Sequence, residues 1–410
     1  MPATAAALAA AVDDRLRAAT AADDIAGIRP TWVAEADSTD QVAALLRTAA
    51  AHGLTTLPRG SGGKLDWGAP PGPVDLVLDL SRHRGVVEHA AGDLVLTARA
   101  GTPLRDLREA VARAGQQLAI DPPFPTATAG GTVATATSGP GRYHFGGVRD
   151  LLIGVTVVLA DGTTTTSGGT VVKNVAGYDL GKLYTGSFGT LGVITEVVFR
   201  LHPLPAERRW ITATAESTAD AAALVAAHRR SRAAPTALEL DRPEPGAPLT
   251  VSVQLEGSPG TTHDRATELA RSTGGQVSER APAWWGQAPA TGTRLRLGTE
   301  PAALSGLLDT ADRAARDTGL PLALRGSAGL GVLHAFLPEH AEPGAVRDLV
   351  TALRAHPGYT AVERAEPAVH GLLDPQGPRP AVLHALHRQI KDRFDPEHRL
   401  APGRLAGGTP

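Results

Sequence analysis

The sequence predicts an α+β fold in two units, and three observations carry that expectation. At 410 residues the chain is long enough for two packed cores. A Pro-rich joint at 203–205 divides it. Beyond the joint the pattern reads strand, helix, strand, strand, helix, strand, the order of an antiparallel sheet with helices on one face. The expected parts are an N-terminal helix within 1–24, a first body at 25–205, a second at 206–380, and a C-terminal helix and tail at 381–410 that return to the first body.

Composition narrows the function classes. Hydrophobic residues at 42% and charged residues at 20% are the balance of a folded, water-facing protein. With a net charge of −2 and no Lys/Arg block, nucleic acid is not an expected partner. The absence of cysteine excludes disulfides, thiolate catalysis and cysteine-ligated iron–sulfur clusters in this chain. No apolar run reaches transmembrane length. The alanine-rich start lacks a basic n-region and is interrupted by Asp13 and Asp14, so it is not read as a signal peptide and the expected location is cytoplasmic.

The elements follow in order. Leu8, Val12 and Leu16 recur at helical spacing and predict a short amphipathic helix. A helix over 38–51 opens with Ser38 and Gln41 in capping-box spacing, buries Val42, Leu45, Leu46 and Ala49, and stops at Gly53. A strand at 55–57 leads into a glycine loop at 58–64. Strands are expected at 76–80 and 94–99, then a helix over 103–115 with Pro103 in its first turn. Alternation at 153–159 predicts a strand, Asp161-Gly162 a hairpin turn, and 192–201 another strand closed by His202-Pro203. In the second body, strands are expected at 210–215, 236–240, 249–255 and 295–298, with helices at 219–228 and 266–272. A helix, a strand pair and a helix follow. A tail helix over 381–393 carries Leu383, Leu386 and Ile390, and Trp284-Trp285 is expected to fill the second core.

Three stretches could carry chemistry. In the loop Pro58, Arg59, Gly60, Ser61, Gly62, Gly63, Lys64, glycines after a strand let backbone N–H groups converge on an anion; a plain connector is the alternative. Pro58 and Leu65 exclude a Walker motif, and Leu65 also excludes a Rossmann fingerprint. The stretch 122–140 is nearly free of large side chains, which suits packing against something flat and bulky; a low-complexity loop is the alternative. The stretch 171–195 holds the sole asparagine, Asn174, beside Lys173, one of four lysines, in a chain that otherwise uses arginine.

Taken together, PRGSGGK at 58–64, PTATAGGTVATATSGPGRYHFGGVRDLLIGVTVVLADG at 125–162, VVKNVAGYDLGKL at 171–183, GSFGTLGVIT at 186–195 and RFDPEHRLAPGR at 393–404 resemble the vanillyl-alcohol oxidase / p-cresol methylhydroxylase family of flavoproteins, and within it the FAD-binding subunits of glycolate oxidase. The resemblance implies two α+β subdomains gripping FAD, with an α+β cap built on an antiparallel sheet. It implies that Arg59–Gly63, flanked by Pro58 and Lys64, hold the pyrophosphate. Pro125, Thr126, Gly130, Gly131, Thr132, Thr135 and Ser138 would hold the flavin and ribityl part, and Gly192, Val193 and Ile194 would offer backbone contacts. Gly63-Lys64 stands where covalently flavinylated members carry His, so FAD is expected to be non-covalent. Arg142, Tyr143 and His144 are expected beside the flavin, and Tyr178 and Asp179 at a turn under it.

The departures are informative. Related D-2-hydroxyacid dehydrogenases carry GHxGDGNxH, a metal-binding segment; here the stretch 326–334 has Ser327, Leu330 and Val332 at ligand positions and keeps only His334. Val369 replaces the carboxylate before His370, and Ala401 replaces the Asn of a closing Asn-Pro-Gly. No catalytic metal is therefore expected. The expected activity is FAD-dependent oxidation of a small 2-hydroxyacid such as glycolate or D-lactate, with His370 or His334 as base and Arg325 on the carboxylate. The chain would work in a heteromer with a GlcD-like flavoprotein and an iron–sulfur subunit, touching a membrane only through partners. The alternative is a non-catalytic FAD-binding subunit supporting a metal-bearing flavoprotein.

Overall fold

Three main sheets organise the chain in a computed structural model that describes residues 2–170 and 178–404. The first has four strands. Thr56–Arg59 and Trp32–Glu35 flank Leu76–Asp79 in parallel, and Leu16–Ala18 adds an antiparallel edge. The helix Thr39–Ala51 covers it, burying Val42, Leu45, Leu46 and Ala49 as the periodicity predicts. Its capping box is only half made. Ser38 accepts from the Gln41 N–H, but the Gln41 side chain turns back to the N–H of Asp37. The N-terminal helix stops at Ala10; Leu8 and Val12 are buried, while Leu16 lies in the edge strand. Positive φ values at Asp13 and Asp14 make that break, which the spacing of apolar residues could not show.

The second sheet is antiparallel, in the order Val86–Ala90, Val95–Arg99, Val193–Arg200, Leu152–Val158, Thr164–Gly168. The strand Thr164–Gly168 has no apolar residue, and Val86–Ala90 has adjacent valines without alternation, so sequence patterning points only to their hairpin partners. The helices Leu104–Ala112 and Ala129–Ala134 pack on this sheet. His202-Pro203 pairs with Gln116-Gln117.

The third sheet has eight strands, all antiparallel, spanning residues 207–364. Its two faces differ because strand residues alternate. Leu238, Leu240, Leu295, Leu297, Leu324, Leu333 and Val362 join the helices Thr218–Arg230, Thr261–Thr273, Leu304–Thr318 and Pro343–Arg354 in one core. The residues between them, including Glu239, Arg294, Arg325, His334 and Glu363, lie on the helix-free face.

The helix Ala381–Phe394 returns the chain to the second sheet through Ile390 and Phe394. The tail then pairs with Thr56: its N–H donates to Arg399 O and its O accepts from Ala401 N. Leu383 and Leu386 do not pack; they are 40% and 48% exposed, because the helix buries its Lys391 side instead. Trp284 and Trp285 also miss the core, lying half-buried in a loop with Trp285 edge-on to Trp210.

Candidate cofactor and substrate cavities

A cavity of about 800 Å³ opens between the glycine loop, the helix Ala129–Ala134 and the start of the strand Val193–Arg200. The strand Thr56–Arg59 delivers the loop to its rim. The backbone N–H groups of Ser61, Gly62, Gly63 and Lys64 donate to nothing among the described residues, leaving consecutive donors free for an anion. Gly62 needs its φ of +79°, whereas a Cβ on Gly60 would sit 2.5 Å from Thr128 Oγ1. A Cβ on Gly130 would come within 2.6 Å of Ala100 Cβ, so the floor is close-packed backbone. A long, flat, phosphate-bearing group fits such a lining, and FAD is one.

Most of the cofactor residues expected from sequence meet here. Pro58, Arg59, Gly60, Ser61, Gly62, Gly63 and Lys64 line the cavity on one side, and Gly130, Gly131, Thr135, Gly192 and Ile194 on the other. Five are placed elsewhere. Pro125 and Thr126 line a neighbouring cavity of about 530 Å³ that shares Ser61 and Thr128. Ser138 lines the substrate-side cavity described below, and Val193 turns into the core. Thr132 is fully buried, with an Oγ1 that has no partner among the described residues. Arg59 brings no free charge, because Asp23 at 2.9 Å and Asp79 at 2.7 Å compensate its guanidinium. Sequence reading missed Arg404, which reaches the cavity from the tail and donates to the carbonyls of Trp67 and Leu65. Lys173 and Asn174 lie outside the described residues. Tyr178 is 93% exposed and packs under nothing among the described residues, and Asp179 pairs with Lys182 at 3.6 Å.

A second cavity, of about 470 Å³, lies on the helix-free face of the eight-stranded sheet. Arg142, Glu239, Arg294, Arg325, His334 and Phe336 line it. Arg294 donates through Nε to Glu363 at 2.6 Å and stacks on Trp67, Phe124 and Phe336 at 5.1–5.3 Å. Its Nη1 has no partner among the described residues. His334 Nδ1 is 3.2 Å from Glu363. Burial and then the Arg294 charge bring His334 down to about 4, so the ring is neutral at pH 7. Burial works to raise Glu363, yet His334 and Arg294 hold it well below the usual carboxylate range. Arg325 donates to Asp241 at 2.7 Å and lies over Trp284. Arg142 has neither ion pair nor side-chain hydrogen bond among the described residues.

Lys64 connects the two cavities. It lines the first, and its ammonium donates to Thr137 Oγ1 at 3.1 Å. Burial, then repulsion from Arg294, lowers it to about 7, with Glu363 opposing.

Of the candidate catalytic residues, His334 and Arg325 line the second cavity, but His370 does not. It ends the short helix Pro367–His370, with burial lowering its pKa and Arg404 nearby. Tyr143 packs against the core of the eight-stranded sheet. His144 stacks edge-on to Phe145, away from the cavity lining. Arg294 and Glu363 were missed because their signal is burial, which charged residues on an alternating strand do not announce.

Two small sheets beside an eight-stranded antiparallel sheet, with free loop N–H groups over a glycine floor, give the chain the fold of p-cresol methylhydroxylase. Residues 30–168 match the family described as FAD binding domain, so that stretch of the chain is an FAD-binding domain. It is 45% identical over 130 residues to glycolate oxidase subunit GlcE of Escherichia coli, covering 31% of this chain and 37% of GlcE. It is 34% identical over 216 residues to glycolate oxidase subunit GlcD of Bacillus subtilis, covering 52% and 46%. The matched part thus spans less than half the length of either relative. Among solved structures, p-cresol methylhydroxylase with substrate bound superposes with a TM-score of 0.77 at 17% identity, covering 100% of this chain and 96% of that one.

Proposed function

We propose that the chain is an FAD-dependent oxidoreductase acting on a small 2-hydroxyacid such as glycolate or D-lactate. The observation that carries this reading is the adjacency of the N–H-lined cradle and a cavity holding a neutral histidine among arginines. Bound FAD supplies a two-electron acceptor for hydride. Arg142 and the free Nη1 of Arg294 hold the substrate carboxylate, and Arg325 backs them. His334 takes the hydroxyl proton. Its basicity rises on binding, because a carboxylate against Arg294 offsets the charge that depresses it, while ionised Glu363 beside Nδ1 stabilises the imidazolium. None of Pro58 to Lys64 is His, Cys or Tyr, which supports non-covalent FAD.

The division into an FAD-binding part at 25–205 and a cap at 206–380 is part of this proposal. So is assembly with a GlcD-like flavoprotein and an iron–sulfur subunit, a reading supported by the names of the relatives. No helix among the described residues is long and apolar enough to cross a membrane, and a cytoplasmic location accords with that. One observation favours a second reading, a FAD-binding subunit whose partner performs the substrate chemistry: among the described residues no group of three or more His, Asp or Glu could hold a metal ion.

Anaerobic mixing of the purified chain with glycolate or D-lactate separates the two. Bleaching of the flavin band is expected, with His334→Gln slowing it about 10²–10⁴-fold and His370→Gln leaving it nearly unchanged. Flavin that stays oxidised with both acids gives the second reading, and a preparation without flavin absorbance overturns both. Acid precipitation should release FAD to the supernatant.

A further inference from the structure

The least compensated groups of the second cavity point to how it selects its ligand. Glu239 lies on the strand Ala237–Arg242, only 5% exposed, and its Oε1 has no partner among the described residues. Ser252 faces it in register on one side, with Arg325 and Ser327 on the neighbouring strand at the other. Arg142 comes from the helix Arg142–Phe145 and Asp121 from the loop before the helix Ala129–Ala134, while Asp241 on its own strand is taken up by Arg325. Farther along the cavity wall stand His334 and Arg294, the latter bound to Glu363. Arg142 Nε is buried and unpartnered. A carboxyl with a free oxygen therefore shares the cavity with a cation that has a free N–H and no ion pair among the described residues.

We propose that Glu239 is a specificity-determining residue, whose neutral carboxyl donates a hydrogen bond to a small carboxylate ligand while Arg142 takes up the ligand's charge. An ionised Glu239 would repel that ligand; a neutral one adds a donor beside the guanidinium. Burial first, then the nearby Asp121, pushes Glu239 up to about 8, against the Ser327 hydroxyl and the pull of Arg142 and Arg325. Affinity is thus present below pH 8 and lost as pH rises through it. The inference rests on reading the second cavity as the substrate pocket.

The test titrates the purified holo chain with oxamate, a non-oxidisable 2-oxoacid mimic whose charge is constant from pH 6 to 10. Binding is followed by calorimetry and by tryptophan fluorescence, since Trp284 lies 5.7 Å from the Arg325 guanidinium. Between pH 7 and 9 the affinity should fall about tenfold, the ratio of protonated fractions for a group titrating near 8. Glu239→Gln, which keeps a donor, should bind within about threefold of wild type at pH 7 and lose the decline toward pH 9. Arg142→Gln should bind about tenfold more weakly or worse at every pH. Calorimetry of the wild type at pH 9, in buffers of different ionisation enthalpy, should show uptake of close to one proton and needs no variant to fold. A flat wild-type profile, zero proton uptake, or a Glu239→Gln variant that keeps the decline overturns the proposal. Flavin content, read separately by visible absorbance, distinguishes the failures. Absent flavin overturns the oxidoreductase reading, while retained flavin without oxamate binding overturns the role of Glu239.

Discussion

Gly62→Leu is expected to yield folded protein that has lost its flavin. The residue holds φ at +79°, and a Cβ there meets nothing closer than 3.7 Å, so the new side chain extends without a clash at its root. The backbone strain costs about 1–3 kcal/mol, which a chain of this size survives against a typical stability of roughly 5–15 kcal/mol. The cofactor does not survive it. Four free N–H groups converge on this segment, and losing two charge-assisted hydrogen bonds of about 1.5–3 kcal/mol each weakens binding about 10²–10⁴-fold. The ratio of flavin to protein absorbance reads the result beside a circular dichroism spectrum. Wild-type occupancy in a folded variant would remove the loop from the phosphate site.

Asp395→Ala should be the most destabilising single change near the C-terminus. Lys391 and Asp395 are 1% and 0% exposed, with Nζ 2.5 Å from Oδ2. Each is fully engaged. Lys391 also donates to the carbonyls of Thr190 and Leu400 at 2.8 Å, and Asp395 accepts from the N–H groups of Leu400 and Arg399. Removing the carboxylate leaves a buried ammonium uncompensated, at a cost of about 3–5 kcal/mol. It also releases the tail from Thr56, and with it Arg404 at the cavity. Denaturant unfolding should show that loss, and flavin affinity should drop with it; an unchanged unfolding midpoint would show that the pair is dispensable.

Where the sequence was legible, a local rule matched local structure. The helix Thr39–Ala51 follows its 3.6-residue period, and the glycine loop emerges from its strand because glycine, serine and proline mark such turns. The cradle residues were legible through the family motif, since small residues have few other reasons to cluster. What stayed hidden depends on distant contacts. Leu383 and Leu386 carry the apolar period of a packed helix, yet the buried Lys391–Asp395 pair fixes which side turns inward. Trp284 and Trp285 are bulky and apolar, but they lie half-buried in a loop and pack against each other. Arg294 and Glu363 lie 69 residues apart and meet only because their strands pair. No spacing rule reaches that far.

The stacking of Arg294 on Trp67 and Phe124 has a consequence for how such a protein can diversify. The guanidinium belongs to the eight-stranded sheet, whereas both rings belong to the part that carries the glycine loop. A cap transplanted from a relative as an independent cassette would leave these aromatics facing a stranger, or its own cation without a ring. New specificities therefore arise more readily by retouching individual lining positions such as Glu239 or Ser327 than by exchanging whole modules. A chimera that keeps the flavin but loses oxamate binding until position 67 or 124 is matched to the incoming strand would display this coupling.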